Sequence, residues 1–382
     1  MRVTVLFKLM SNAYNYYKKV YRGKKFEEWK VNRPEEKAIW SSVDLTLEQM
    51  QQIDNYYLEH YGKKIPYTWH RLYTGFRGSF DVRYFPEHLF IPVFERLVNP
   101  MKYTESFGDK NVTMLLASNI SDLKVPKCFG SCCNGMYRDD NYNPLSKQQF
   151  LEYIANTGKV FIKPTVDSSS GRGCRVLNLI NGLDDDTGKT VAEIVESYGD
   201  NFVIQEIIKM HPDVANLHPE SVNTFRIMTY RLPKSGELHH TPSFMRIGIG
   251  ESKVDNAHAG GLFIGIGDDG DLEPVAFTEF KKAFLAHPDT GIKFDGYKII
   301  DFPKALNAAK KLHALIPQIG VYSWDFTIDS EGIPVLIEVN TRKGGIWANQ
   351  KAWGKSLFGD DTEEILEFLR DKEKDMPFKI SL

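Results

Sequence analysis

Nowhere does an apolar run approach the ~20 residues that a membrane-spanning helix needs. The opening segment, MRVTVLFKLM, has few apolar residues and no small-residue cleavage site, which argues against a secretory leader. An excess of one charge is also missing. Lys and Arg number 48 against 50 Asp and Glu, so the formal charge is -2 and no global nucleic-acid signature is present. Internal repeats, low-complexity tracts and heptad arrays are absent. Cysteine is scarce, at four residues. Cys128, Cys132 and Cys133 cluster in KCFGSCCNG, which reads as a loop. Without paired Cys-x2-Cys knuckles, small half-buried thiols in a reducing cytosol are favoured over zinc. What is left is an ordinary globular composition, 42% hydrophobic and 26% charged. The length suffices for roughly two or three packed lobes.

Residues 1–105 read as a mainly helical cap, with helices expected over Leu45 to Tyr61 and Pro86 to Val98. The aromatic and basic stretches KKIPYTWHRLY and FRGSFDVRYFP fit packing of this cap on its host better than a ligand surface. Further helices are expected from Asp109 to Ser118, Ser146 to Asn156, Asp301 to Leu315 and Thr362 to Leu369. From Val160 onward short strands dominate: VFIKP, CRVLNLI, FVIQEII, TFRIMTYRL, TPSFMRIGIG and GGLFIGIG.

The run SWDFTIDSEGIPVLIEVN, Ser323 to Asn340, reads as two strands joined by an Asp-Ser-Glu-Gly turn. Strand side chains alternate faces, so Glu338 and Asn340 point the same way, and pairing through the turn brings Asp325 near them. Hard oxygens of this kind suit magnesium, which also keeps waters and substrate phosphates. A solvated edge hairpin is the competing reading. It fits poorly with the apolar Val335, Leu336, Ile337 and Val339, which mark a buried strand where unpaired carboxylates are costly.

Lys163 lies on the strand VFIKP, ahead of a loop of Ser168, Ser169, Ser170, Gly171, Arg172 and Gly173. Small residues let a backbone approach phosphate oxygens, and the lysine adds a point charge. The GK[ST] ending and following helix of a Walker loop are missing. An ordinary hairpin remains the alternative for this loop taken alone. FVIQEII can present backbone groups to an adenine edge or simply end a strand with Gln205 and Glu206 exposed.

The order of GDKN, FIKP, the Ser/Gly loop, QEII and Asp-x12-Glu-x-Asn resembles the ATP-grasp superfamily from about Phe107 to Trp347. SVNTFRIMTYR, VDNAHAGG and HPDTG are similar to its sugar-transfer-associated members, which are linked to surface-polysaccharide biosynthesis. The resemblance implies an α+β ATP-grasp fold: two α+β lobes clamping the nucleotide, at 106–208 and 209–382, beside the helical cap. It implies ATP and Mg2+ as cofactors. Lys110 and Lys163 would contact phosphates, with Ser168 to Gly173 as lid. Gln205 and Glu206 would lie at the adenine, with Ile208 giving a backbone contact and Asp213 near the ribose. Asp325, Glu338 and Asn340 would hold magnesium, so that Ala at Asp325 or Glu338 ends turnover with less effect on folding.

Arg226, Arg246 and Arg342 are candidates for gripping a carboxylate or phosphoryl group, since a guanidinium donates two parallel hydrogen bonds. Structural ion pairing is the competing role for Arg226 and Arg246. His258 can donate to phosphate or act as a base, or can instead stabilise its loop, and His287 shares that ambiguity. Trp347 suits a sugar ring or a buried anchor. The expected activity is carboxylate–amine ligation through an acyl phosphate, forming an amide on a sugar or sugar-linked intermediate. A kinase acting on a hydroxyl is the alternative. Partners are small or sugar-linked carboxylates and amines, with no nucleic acid. The expected location is cytoplasmic, reaching the membrane only through a lipid-linked substrate.

Overall fold

A computed structural model describes residues 18–166, 173–252 and 254–374, apart from the side chains of Lys110, Asn111 and Ala259. Two antiparallel sheets organise them. The smaller sheet takes β1 (Cys128–Cys133), β2 (Met136–Arg138), β3 (Pro144–Leu145), β4 (Gly158–Pro164), β5 (Arg175–Ile180), β6 (Leu183–Asp184) and β7 (Asn201–Gln205) in the order β3-β2-β1-β7-β4-β5-β6. The larger takes β8 (Thr224–Arg231), β9 (Leu238–His240), β10 (Ser243–Ile247), β11 (Leu262–Ile266), β12 (Ala276–Phe277), β13 (Ala283–Phe284), β14 (Val321–Ile328) and β15 (Pro334–Asn340). Its order is β13-β12-β11-β10-β8-β14-β15, with β9 pairing separately to β8.

In the smaller sheet, Val160, Ile162, Phe202 and Ile204 point to one face. There they meet the helices Lys147–Ile154 and Val191–Tyr198 through Phe150, Ile154, Ile194 and Val195. Ser146 and Gln149 form a reciprocal capping box on the first helix, and Thr190 and Glu193 do the same on the second. KCFGSCCNG is not a loop: Cys128–Cys133 is a full strand paired with β7 and β2. Cys132 is buried, and Cys128 and Cys133 are half-buried. Burial pushes the Cys128 thiol up to about 11. Among the described residues no group of three His, Cys, Asp or Glu side chains is arranged for a metal.

The larger sheet is covered on both faces. Phe225, Ile227, Met245, Trp324 and Phe326 pack under the helix Phe302–Ala314, which presents Ala305, Leu306, Ala309 and Leu312. Met114 and Ala117 of the helix Lys110–Ala117 join that core. The opposite face, carrying Met228, Tyr230 and Phe244, is roofed by helices of the first hundred residues together with Trp347–Trp353 and Thr362–Lys374. The aromatic stretch TWHRLYTGFR is helical, and its Phe76 contacts Phe263 and Phe277 at 6.0 and 5.1 Å between ring centres. It serves to pack the cap on the sheet.

The expected helix from Pro86 to Val98 forms with an irregularity. Phe90–Phe94 is a π-turn between Glu87–Leu89 and Glu95–Val98, in which the Glu95 N–H donates to the Phe90 carbonyl. Pro92, which has no N–H for an α-helical bond, lies within it. Among the described residues no helix is long and apolar enough to cross a membrane.

Candidate active site

The hairpin β14–β15 forms as the alternation predicts. Its turn is closed by the Asp329 carboxylate, which accepts from the Glu331 and Ile333 N–H groups, both at 2.9 Å. Gly332 takes the positive φ of 74° that the turn demands. Asp325 stands opposite Glu338, and Ser323 opposite Asn340, with a bulge past Asp325. On its other edge β14 pairs with β8, setting Arg226 opposite Asp325, and β8 in turn sets Phe244 opposite Arg226. One row thus runs Phe244, Arg226, Asp325, Glu338 across four strands, and Arg246 joins it from β10.

These groups are not independent. The Arg226 Nε donates to Asp325, and its Nη2 donates to the second carboxylate oxygen at 3.1 Å. Arg246 Nη2 reaches that same oxygen at 3.1 Å, while its Nε lies 3.4 Å from Asp255. Arg246 also donates to the Thr224 hydroxyl at 3.0 and 2.7 Å, and that hydroxyl donates to Asp255. Burial alone would raise the Asp325 carboxyl, but the two guanidiniums outweigh it and hold it below its usual range. Asp255 is raised, because burial exceeds the help from Arg246 and Thr224. Arg246 stays firmly cationic, since Asp255, Asp325 and Glu338 overcome its desolvation. Nη1 of each guanidinium is not used by these contacts and can meet a substrate oxygen.

The row forms one wall of a cavity of about 1450 Å³ between the sheets. Lys163, Gln205, Glu206 and Ile208 line its opposite wall, and Asn340, Arg342 and His258 also face it. Lys163 Nζ donates to the Ile337 carbonyl at 3.1 Å, crossing from the smaller sheet to the bulged residue of β15. Glu206 lines the cavity, but its carboxylate accepts from the Lys127 N–H at 2.8 Å, bracing the end of β7. His258 pairs with Glu279 at 2.7 Å, and Glu279 is also held by Arg33 at 3.2 Å. Two expected nucleotide residues do not line the cavity: Asp213 and Gly173. Asp213 sits in the short helix Pro212–Ala215 beside His211, and Gly173 turns against Pro164. Ser168, Ser169, Ser170 and Gly171 lie outside the described residues, as does the side chain of Lys110. His287 is a loop brace, bonded through Nε2 to the Gly248 carbonyl at 2.8 Å.

Several important side chains escaped sequence reasoning. Glu95 accepts from the Lys343 and Gly344 N–H groups at 2.9 and 3.1 Å, and Glu87 from those of Ile346 and Trp347 at 2.9 and 2.8 Å. Two acids on one helix thereby fix the loop that follows Asn340. Burial pushes both carboxyls up to about 7, against these hydrogen bonds and, for Glu87, against Lys30. Asn99 spans the base of the site. Its amide donates to the Val321 and Thr341 carbonyls, each at 2.7 Å, and accepts from the Gly320 and Val321 N–H groups, each at 2.9 Å. Thr224 and Asp255 complete the arginine cluster. The only sequence signal for Asp255 was its place in the VDNAHAGG segment.

As donors, Glu338 and Asn340 offer the hard oxygens that magnesium takes. Asp325 fits the same chemistry, though both its oxygens already accept from guanidiniums.

Solved structures of low similarity include the L-amino acid ligase from Bacillus licheniformis, at 16% identity over 69% of this chain and 48% of that one, TM-score 0.36. D-alanine–D-alanine ligase from Bacillus anthracis gives 14% identity over 72% of each chain, TM-score 0.40. An ADP complex of N5-carboxyaminoimidazole ribonucleotide synthetase gives 12% identity over 64% of this chain and 47% of that one, TM-score 0.39. The chain thus spans about half the length of that synthetase and of the L-amino acid ligase. No curated protein matches. The family described as sugar-transfer associated ATP-grasp matches residues 91–365, which take in both sheets and the whole arginine–carboxylate row. The chain belongs to the sugar-transfer associated ATP-grasp family.

Proposed function

We propose that this protein is an ATP- and magnesium-dependent carboxylate–amine ligase that forms an amide on a sugar or sugar-linked intermediate. The observation that carries the reading is the Arg226–Asp325–Arg246 cluster, which shares one cavity with Glu338, Asn340 and Lys163. Lys163 would hold nucleotide phosphates, with Gln205, Glu206 and Ile208 at the base. Asp325, Glu338 and Asn340 would hold magnesium, which supplies charge neutralisation at the transferring phosphoryl group.

A carboxylate is a poor acyl donor because oxide is a poor leaving group; transfer of the γ-phosphoryl group of ATP to a carboxylate oxygen, with release of ADP, gives an acyl phosphate, a mixed anhydride whose phosphate leaves readily. Phosphorylation therefore precedes attack by the amine, and phosphate departs. The task of this chain's residues is to orient and to exclude water. Arg226 and Arg246 are pinned by Asp325 and Asp255, so their remaining N–H groups are fixed before substrate arrives. They would receive the substrate carboxylate and then the charge of the tetrahedral intermediate. Arg342, on the loop held by Glu95, would bind a phosphoryl oxygen. His258, held by Glu279, faces the amine side.

Product analysis tests the reading. ADP should accumulate in step with an amide only when carboxylate and amine are both supplied. ADP formed with an alcohol alone, together with a stable phosphate ester, would establish the kinase chemistry instead.

A further inference from the structure

We propose that the acceptor carries a phosphate or diphosphate beside its sugar, gripped by the cavity end that residues 18–31 and 342–347 build; this rests on the ligase reading above. The helix of residues 18–31 precedes the family-matched segment, yet it supplies one wall of the cavity. It packs on the π-turn, where a Cβ added at Gly23 would meet Pro92 at 2.7 Å. The same irregular helix holds the 343–347 loop through Glu87 and Glu95. The three elements are therefore continuous.

Lys19, Arg22, Lys30, Arg96, Arg342 and Lys343 line this end. The acids beside them are already engaged. Glu27 pairs with Lys30 at 3.0 Å, and Glu95 is occupied by two backbone N–H groups. Among the described residues, Lys19, Arg22, Arg342 and Lys343 have no carboxylate within 4.0 Å. Arg342 and Arg96 act on the buried Glu95 and Lys30 on Glu27, so the surplus at this end is Lys19, Arg22 and Lys343, and that surplus favours a multiply charged anion. Phosphate oxygens match guanidinium and ammonium donors best. Lys163, with Arg342 at the transferring phosphoryl group, would serve ATP, which leaves Lys19, Arg22 and Lys343 for a second anion.

The ring of Trp347 lies at the same end, 5.7 Å from that of His258 and packed edge-on against Phe263. An indole beside cations suits a sugar ring with a phosphate at its anomeric position. Such a group can come free in solution or on a lipid. The 18–31 helix exposes Tyr21 and Trp29 away from the cavity and Phe26 at its edge, among basic residues, which makes the second source worth testing.

Calorimetry on the full chain, saturated with magnesium and a non-hydrolysable ATP analogue, decides the matter. Glucose 1-phosphate and glucose are titrated in solution, and polyprenyl-phosphate glucose in phosphatidylcholine vesicles. At least one phosphorylated probe should bind tenfold or more tighter than glucose, and which one identifies the source. Lys19→Glu with Arg22→Glu, at two exposed positions, should weaken that probe at least tenfold; circular dichroism checks that the fold is kept. Equal binding of glucose, no binding of either phosphorylated probe, or wild-type affinity in the folded double variant overturns the proposal. Failure of the analogue itself to bind would count against the ligase reading. An analogue that binds, followed by no preference for phosphate, counts against this inference alone.

Discussion

Asp325 and Glu338 face each other across β14 and β15, yet the structure gives them different burdens. The Asp325 side chain is 2% exposed and receives two guanidiniums, whose own side chains are 15% and 14% exposed. Asp325→Ala leaves both cations buried. Arg246 keeps Asp255 at 3.4 Å, whereas the carboxylate paired with Arg226 is gone. Removing one partner of a buried pair costs about 3–5 kcal/mol. That is a large share of the ~5–15 kcal/mol that stabilises a typical domain. Glu338 is half-buried where Asp325 is buried, so its loss leaves less uncompensated charge out of water, and Glu338→Ala should cost about 1 kcal/mol. Both variants should lose turnover. Urea unfolding followed by circular dichroism measures the difference, with ADP formation assayed on the same preparations. If Asp325→Ala unfolds within about 1 kcal/mol of the wild type, the cluster is not the electrostatic keystone inferred from its geometry.

Glu95, raised from 4.5 to about 7 by burial, binds its proton more tightly folded than unfolded. Its contribution is therefore most favourable at low pH, is lost as pH rises from 4.5 through 7, and is flat above that. The loss amounts to roughly 3 kcal/mol. Between pH 5 and pH 8 the wild type should lose more urea stability than Glu95→Gln, and parallel curves would contradict this. Lys163→Met should weaken nucleotide binding at least tenfold by calorimetry, and unchanged affinity would remove Lys163 from the phosphate site. Asn99→Ala deletes four hydrogen bonds, three of them buried, and strands their backbone partners, which should cost about 2–4 kcal/mol in urea unfolding. A cost below 1 kcal/mol would mean that water replaces the amide.

The late hairpin was legible because all its information is local: alternation, an Asp at the turn, and a Gly where φ must be positive. The pairing of its key acid was not. Arg226 lies 99 residues before Asp325, and their contact depends on β8 being inserted between β10 and β14. No local pattern encodes that order. KCFGSCCNG has no β-branched residue and one aromatic, Phe129, too little to announce a strand, and becomes one because β7 and β2 supply its partners. Val191–Tyr198 could have been found from the Thr-x-x-Glu capping box that opens it. Glu87, Glu95 and Asn99 gave no signal. Their partners are backbone groups more than two hundred residues away, and a polar residue in a helix reads as solvent-facing until the chain is folded.

The π-turn at Phe90–Phe94 has a geometric effect on the far side of the molecule. Eight steps of a regular helix rotate a side chain by roughly 800°, which would set Glu95 about 80° around the axis from Glu87. Inserting one extra residue in the wide turn removes about one step of that rotation and brings the two carboxyls back into phase, within roughly 20°. Both can then clasp the same strip of backbone between Lys343 and Trp347. A regular α-helix that kept every residue between Glu87 and Glu95 would swing one clasp away by about 80°, whereas deleting Val93 would keep the two in phase. The orientation of Arg342 is thus set by a misfit in helical pitch that lies about 250 residues earlier in the chain.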